Sequence, residues 1–254
     1  MRTFDINDAV AVVSGANRGI GKALVEALLF GGARKVYAGA RRTETLADLR
    51  ERWGERLVPV RLDVTSPEDV QAVAETAGDV NLLVNNAGAA GALGRPILDH
   101  EAVDEARHEM EVNYFGVLNL TRALAPTLAR NGGGAVVNLA SVASFVNFPL
   151  FQSYSASKAA THSVTQALRL ALAGQGTQVT GVYPGPVDTD MAAEVPMEKT
   201  SSAEVADAIL QGLREGAEEI FPDPVAREMG GAFLQDPKGL ERNVAAMAAE
   251  GAAA

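Results

Sequence analysis

The chain contains no cysteine, which excludes disulfide staples and thiolate chemistry and leaves the redox compartment open. Its three histidines are scattered and form no His-x-x-x-His pair, so no metal site is expected. Positive charge is scarce: 22 Lys and Arg face 32 Asp and Glu, for a net charge of −10. With no Lys/Arg-rich run either, a nucleic-acid partner is not expected. No apolar run approaches the roughly 18 residues that cross a bilayer. The opening residues Met1-Arg2-Thr3-Phe4-Asp5 carry no apolar stretch of the signal-peptide kind. A cytoplasmic protein with no membrane partner is the expectation. Internal repeats and dividing linkers are absent as well. What remains is 254 residues, 47% hydrophobic and 21% charged, enough for one sizeable core.

Apolar, β-branched runs alternate with longer amphipathic stretches, the pattern of a doubly wound parallel sheet with helices on both faces. An α/β fold in a single domain spanning 1–254 is expected. Strands are predicted at 9–14, 35–40, 57–62, 80–85, 135–139 and 178–183, with a short edge strand at 219–221. Helices are predicted at 19–31, 152–174 and 202–215, and at 43–53 behind a Thr43 cap. Ser66-Pro67-Glu68-Asp69 starts another with a cap, an N1 proline and an acidic first turn. A long helix over 101–130 should bend near Pro126. A Gly/Ala-rich segment at 87–94 follows the fourth strand.

Two stretches carry chemistry. Ser14-Gly15-Ala16-Asn17-Arg18-Gly19-Ile20-Gly21 follows the first strand and opens the first helix, where a doubly wound sheet binds a dinucleotide pyrophosphate. Gly15 can form the tight turn, Gly19 let the ligand approach, and Gly21 let helix and strand pack closely. The spacing is G-x-x-x-G-x-G, and a turn that serves packing alone is the other reading. At the end of the second strand, Val36-Tyr37-Ala38-Gly39-Ala40-Arg41-Arg42 has no acid to hold a ribose 2′-hydroxyl. Arg41 and Arg42, with Arg18 in the loop, could grip a 2′-phosphate instead, so NADPH is expected over NADH. Solvated residues at a helix start are the alternative. In the second stretch, Tyr154 and Lys158 stand four apart on one helix face. An ammonium beside a phenol favours the phenolate, so Tyr154 is expected to have a lowered pKa suited to general acid–base work.

With Asn85-Asn86-Ala87-Gly88, Asn113 and Ser141 in order between these stretches, the chain resembles a short-chain dehydrogenase/reductase of the short, single-domain branch. The resemblance covers about residues 8–190. It implies that hydride passes between NADPH and a carbonyl or alcohol, with Tyr154 as general acid. Lys158 would lower the tyrosine pKa and bind the nicotinamide ribose. Ser141 would hydrogen-bond the substrate oxygen, and Asn113 would hold a water leading from Lys158 to solvent. The same resemblance assigns Asp63 and Val64 to the adenine, and Asn86, Ala87 and Gly88 to the sheet and the adenosine ribose. Within Tyr183-Pro184-Gly185-Pro186-Val187-Asp188-Thr189 it puts Pro184 and Gly185 along the nicotinamide, with Val187 and Thr189 at its carboxamide.

The substrate is less legible. Phe145, Phe148 and Phe151 lie between Ser141 and Tyr154 and could wall an apolar pocket, sit under the sheet, or meet another subunit. Residues 190–199, including Met191, correspond to the family's mobile lid, here short and lightly apolar. A small or medium hydrophobic ketone or aldehyde is expected. The alternatives are reduction of 3-oxoacyl thioesters in lipid or polyketide assembly, and a non-catalytic NADPH-binding regulator. A homodimer through helices 101–130 and 152–174 is expected, and the usual tetramer is in doubt. Its C-terminus departs from the family pattern, with a helix after Glu218-Glu219-Ile220-Phe221-Pro222-Asp223-Pro224 and an Ala-rich, frayed tail at 245–254. His162 is expected to pack or face solvent, with no catalytic role.

Overall fold

The computed structural model describes residues 3–91, 94–194 and 197–251. Parts of three expected segments therefore lie outside the described residues: Ala92 and Leu93, Val195 and Pro196 of the lid, and 252–254 of the tail.

The β-branched runs become seven strands: β1 (Val10–Ser14), β2 (Lys35–Ala40), β3 (Leu57–Arg61), β4 (Leu82–Asn85), β5 (Gly134–Leu139), β6 (Thr177–Val182) and β7 (Glu219–Ile220). They pair in parallel in the order β3-β2-β1-β4-β5-β6-β7. The chain winds outward from β1 to β3 and then returns to start β4 on the other side of β1. That reversal leaves a crevice beyond the carboxyl ends of β1 and β4, where doubly wound sheets bind their ligands.

Side chains on alternate positions of a strand face opposite layers. Ala11 and Val13 pack with Leu24 and Leu28 of α1 (Gly19–Phe30) and with Leu213 of α7 (Ser202–Glu215). Val10 and Val12 pack on the other face with Leu120, Leu124 and Leu128 of α5 (Gly116–Arg130) and with Leu168 of α6 (Gln152–Leu172). Each fully buried leucine or valine of this kind contributes about 1.5–3 kcal/mol. Two cores thus clamp one sheet.

Several local expectations need correction. At 43–53 the chain makes a 3₁₀ turn, Thr43–Leu46, before α2 (Ala47–Trp53). Thr43 does not cap it; Thr45 donates its hydroxyl to the Arg42 carbonyl at 2.6 Å instead. Ser66, by contrast, accepts the Asp69 N–H at 3.1 Å and opens α3 (Pro67–Thr76) as expected. Over 101–130, α5 runs unbroken through Pro126. The departure from α geometry comes earlier, as a π-helical turn at Glu111–Phe115 between α4 (Ala102–Met110) and α5. A widened turn of this kind is commonly tied to a functional side chain, here Asn113.

The C-terminus continues beyond the sheet as helices. After β7 come α8 (Pro224–Gln235) and α9 (Pro237–Gly251), so 245–251 continues a helix. Leu240 and Val244 of α9 join Val146 in a satellite core, with Phe145, Phe148, Met229 and Phe233 packed against it. Tertiary burial, which composition cannot reveal, holds α9 through Leu240 and Val244, while Ala245, Ala246 and Met247 beyond them are exposed.

Candidate active site

The glycine loop is built to receive a phosphate group. Gly15 and Gly19 have φ of +64° and +52°, conformations L side chains rarely adopt. A Cβ on Gly21 would stand 2.2 Å from the Gly15 carbonyl oxygen and 2.4 Å from Asn86 Nδ2, so helix and loop could not close. Asn86 fixes this arrangement, donating to the carbonyls of Ser14 at 2.9 Å and Gly15 at 3.0 Å. Ser14 Oγ in turn accepts the N–H groups of Asn86 and Ala87, both at 3.0 Å. The start of α1 carries no side-chain cap and no acid in its first turn. Free N–H groups at a positive helix end suit a pyrophosphate, so these residues fit a dinucleotide.

Around that cradle, Arg41 and Arg42 are exposed at the end of β2. Arg18 is ion-paired with Asp190 at 2.8 Å in an exposed setting that holds it only weakly. Burial alone would raise the Asp63 carboxyl, but the Thr65 hydroxyl and N–H and the nearby Arg41 and His108 carry it below its ordinary range. The buried Val64 fills the space over Gly116, where a Cβ would meet its Cγ2 at 2.7 Å. Thr189 comes down over Gly19, where its Cγ2 would lie 3.0 Å from a Cβ. Ile20 packs against the core and Asn17 is half-buried. Beyond β6, the buried Pro184 and the loop that follows are pinned: Gly185 N–H donates to Asp223 at 2.8 Å, and Val187 bridges to Thr200.

Four side chains converge beside this loop, from the π-helical turn, the end of β5 and α6. Asn113, buried in the π-helical turn, donates to the Ala89 carbonyl and Ser157 Oγ, both at 2.8 Å, and accepts the Ala89 N–H at 2.9 Å. Its amide therefore clamps the segment after β4, while its own carbonyl accepts the Thr161 hydroxyl at 2.9 Å. Gly88 lies between the parts: a Cβ there would meet Asn113 Oδ1 at 3.4 Å and Lys158 Nζ at 3.7 Å. Lys158 Nζ is buried, donates to the Leu139 carbonyl at 2.7 Å and stands 5.6 Å from the centre of the Tyr154 ring. Ser141, beyond β5, lies beside the Tyr154 phenol, donates to the Pro184 carbonyl at 3.5 Å and accepts the Ala143 N–H at 3.1 Å.

The electrostatics correct one expectation. Tyr154 is pushed up to about 12, chiefly by burial, with the neighbouring Ser141 hydroxyl opposing it and the nearby Glu109 charge adding to it. Burial also carries Lys158 down to about 8. The lysine donates to a backbone carbonyl here, so it does not hold the phenol in its ionised form. In this state of the protein Tyr154 is a firmly protonated phenol, the form that gives a proton away.

The expected pocket residues divide. Phe145 stacks at 4.8 Å on Phe233 and packs on Tyr183 and Phe221, so its ring anchors the C-terminal helices. Phe148 belongs to the same satellite core. Only Phe151 adjoins Tyr154, with ring centres 5.8 Å apart, while Met191 is exposed. His162 binds the buried Tyr183 hydroxyl at 2.7 Å, and burial lowers its pKa.

Two residues escaped the sequence reading. Asp223, 1% exposed, caps α8 through the Ala226 N–H at 2.8 Å while its other oxygen holds Gly185. Asp followed by Pro at a helix start was the available signal. Glu109 is buried in α4, one turn before Asn113 on the same face.

A doubly wound parallel sheet with this cradle and these Ser, Tyr and Lys side chains defines an oxidoreductase that works with a nicotinamide cofactor. Its family is the short chain dehydrogenases, to which the chain belongs, since their family model matches residues 9–200. The chain is 35% identical over 218 residues to an uncharacterised oxidoreductase of Staphylococcus aureus strain USA300, covering 83% of this chain and 93% of that one. It is also similar to a short chain dehydrogenase from Burkholderia cenocepacia solved in complex with NADP. That structure is 43% identical with a TM-score of 0.88, over 94% of this chain and 98% of the other. A short chain dehydrogenase/reductase from Burkholderia phymatum, solved with NAD, is 26% identical with a TM-score of 0.82, over 94% and 97% of the two chains.

Proposed function

We propose that this protein is an NADPH-dependent reductase of a small or medium ketone or aldehyde, reversible to alcohol oxidation. The observation that carries this reading is the convergence of Ser141, Tyr154 and the buried Lys158, whose Nζ stands 5.6 Å from the Tyr154 ring, next to a glycine cradle that suits a pyrophosphate. When bound, the nicotinamide supplies or accepts the hydride. The Ser141 hydroxyl donates to the carbonyl oxygen of the substrate and stabilises the charge that develops there. Tyr154, protonated by virtue of its burial, passes its phenolic proton to the same oxygen as general acid. Lys158 holds a donor for the cofactor's ribose and restores positive potential beside the phenolate that Tyr154 becomes. Asn113 keeps the Ala89 segment and Ser157 in place around them.

Exposed Arg41 and Arg42, with no acid at the end of β2, support NADPH over NADH. The structure of the Burkholderia cenocepacia relative with NADP supports it too. The pair of helices over 101–130 and 152–172 also presents exposed Val103, Phe115 and Leu170, which supports a homodimer through them.

The reading is tested by following NADPH and NADH oxidation against a panel of ketones, aldehydes and 3-oxoacyl thioesters. Turnover of simple carbonyls with kcat/KM at least about tenfold higher for NADPH is expected, the factor of one charge-assisted phosphate contact. No turnover on any carbonyl, or a preference for NADH, would contradict it.

A further inference from the structure

Glu109 is a buried acid that the proposed chemistry leaves unused. It lies on α4 and is 1% exposed. One carboxyl oxygen, Oε1, accepts the Gly91 N–H. The other, Oε2, is buried and has no hydrogen-bond partner among the described residues. A buried carboxylate oxygen without a partner is costly, and native proteins seldom leave one without a use.

The surroundings show where that oxygen can act. Glu109 and Tyr154 line the same small cavity, along with Gly91, Arg95, Glu105 and Gln152. Its volume is about 10 Å³, room for roughly one water-sized group. Among the described residues Arg95 is the one cation lining it, and it is ion-paired with Glu105 at 3.0 Å, Glu101 at 2.6 Å and Asp99 at 3.6 Å. Its Nε is buried and, like Glu109 Oε2, has no hydrogen-bond partner, so the two are not bonded to each other, and the charge of Glu109 is felt at the Tyr154 phenol. The neighbourhood of the proton donor is thus polar and acidic on the α4 side, whereas Phe145 and Phe148 turn away into the C-terminal packing.

On the reading of Tyr154 as proton donor, we propose that Glu109 is a specificity-determining residue: its free oxygen accepts a hydrogen bond from a donor on the substrate, next to the reacting carbonyl. The substrate class is a ketone or aldehyde with a hydroxyl or a protonated amine on the adjacent or next carbon. A single water-sized space admits one such group and little more. The carbonyl goes to Ser141 and Tyr154, and the donor goes to Glu109.

The test compares an α-hydroxyketone, the matching α-aminoketone and the plain ketone with NADPH, in wild type, Glu109→Gln and Glu109→Met. In wild type at least one donor-bearing ketone should exceed the plain one in kcat/KM by about tenfold or more, the factor of one hydrogen bond to an ionised group. Glutamine keeps an oxygen for the Gly91 N–H and puts an amide NH₂ in place of Oε2. An ammonium cannot use that group, and a hydroxyl can use it only as an acceptor. Loss of the preference in both variants identifies the ammonium as the donor; weakening in Gln with loss in Met identifies the hydroxyl. Equal, measurable wild-type rates on all three ketones overturn the proposal without any variant, as does a preference unchanged by both substitutions. As a readout apart from turnover, a vicinal diol, the matching amino alcohol and a mono-alcohol are titrated calorimetrically into the wild type and Glu109→Met. The diol or the amino alcohol should bind more tightly than the mono-alcohol to wild type only, and equal affinities of all three would count against the proposal. If plain and substituted ketones alike go unreduced while that preference stands, it is the assigned reaction that fails and not the site.

Discussion

Replacing Lys158 with methionine should separate what this side chain does for the reaction from what it costs the fold. Its ammonium is buried and has dropped from an ordinary 10.5 to about 8. At pH 7 it is therefore still charged, in surroundings that disfavour the charge. That drop corresponds to roughly 3 kcal/mol of destabilisation at neutral pH, at about 1.4 kcal/mol per pKa unit. The sign follows from proton counting. Below about pH 8 both folded and unfolded chains carry the proton, and the full cost applies. Between about 8 and 10.5 the folded protein has released it while the unfolded chain still binds it, so stability rises with pH. Methionine keeps an unbranched side chain without the charge, but leaves the Leu139 carbonyl unpaired, at a cost of about 1–3 kcal/mol.

The variant should thus be up to about 2 kcal/mol more stable than wild type at pH 7, the difference of those two terms. Its advantage should be smaller at pH 10 by roughly 2.5 kcal/mol. Urea unfolding of both proteins at both pH values reads this directly, and the difference of differences cancels every other titrating group. Carbonyl reduction should meanwhile fall by about 100-fold or more, the range of a lost acid–base contribution. An advantage that is constant or grows with pH would refute the burial argument.

Three further outcomes follow from the same geometry. Arg41→Asp should move the kcat/KM ratio toward NADH by about tenfold or more, since it replaces a phosphate partner with a repelling charge; an unchanged ratio would count against Arg41. Because burial raises Tyr154 to about 12 and lowers Lys158 to about 8, ketone reduction should be flat between pH 6 and 7. It should fall above about 8 as the lysine loses its charge, while alcohol oxidation, which needs the phenolate, climbs with pH from 6 to about 8. An oxidation rate already level below pH 7 would contradict that assignment. Asp223→Ala should lower stability by about 2–4 kcal/mol through a lost cap and a lost buried acceptor. It should also raise the KM for NADPH, because the Gly185 N–H is released, and Tm together with KM checks this.

How much of this was legible in the sequence depended on how local the cause was. The strands could be read because Val12, Val36 and Val137 belong to apolar runs whose burial needs no distant partner to be recognised. The Ser66 cap was equally local, set by Asp69 within one turn, and the glycine loop was legible from its own residues although Asn86 and Thr189 close it from far along the chain. The π-helical turn at Glu111–Phe115 was not, because it answers to Ala89 and Thr161, far away in sequence. Nor was the docking of α9, where Leu240 and Val244 find their partners in Val146 and the Phe145 neighbourhood. At the site, order along the chain brought Asn113, Ser141, Tyr154 and Lys158 together, but their spacing could not tell that burial outweighs the lysine in setting the phenol. Glu109 was hidden for a related reason: an acid in an amphipathic helix reads as a solvated residue until the packing around it is known.

The central claim is that the Tyr154 hydroxyl, which lies beside Ser141 and the buried Lys158, gives the proton in carbonyl reduction. Tyr154→Phe removes that one oxygen and leaves the ring that packs against Phe151. The measurement is kcat/KM for the best carbonyl substrate, alongside the NADPH dissociation constant from fluorescence titration. Reduction should fall by about 100- to 10,000-fold, the range of a lost general acid, while NADPH affinity stays within about threefold. A variant that still turns over within about tenfold of wild type would contradict the assignment.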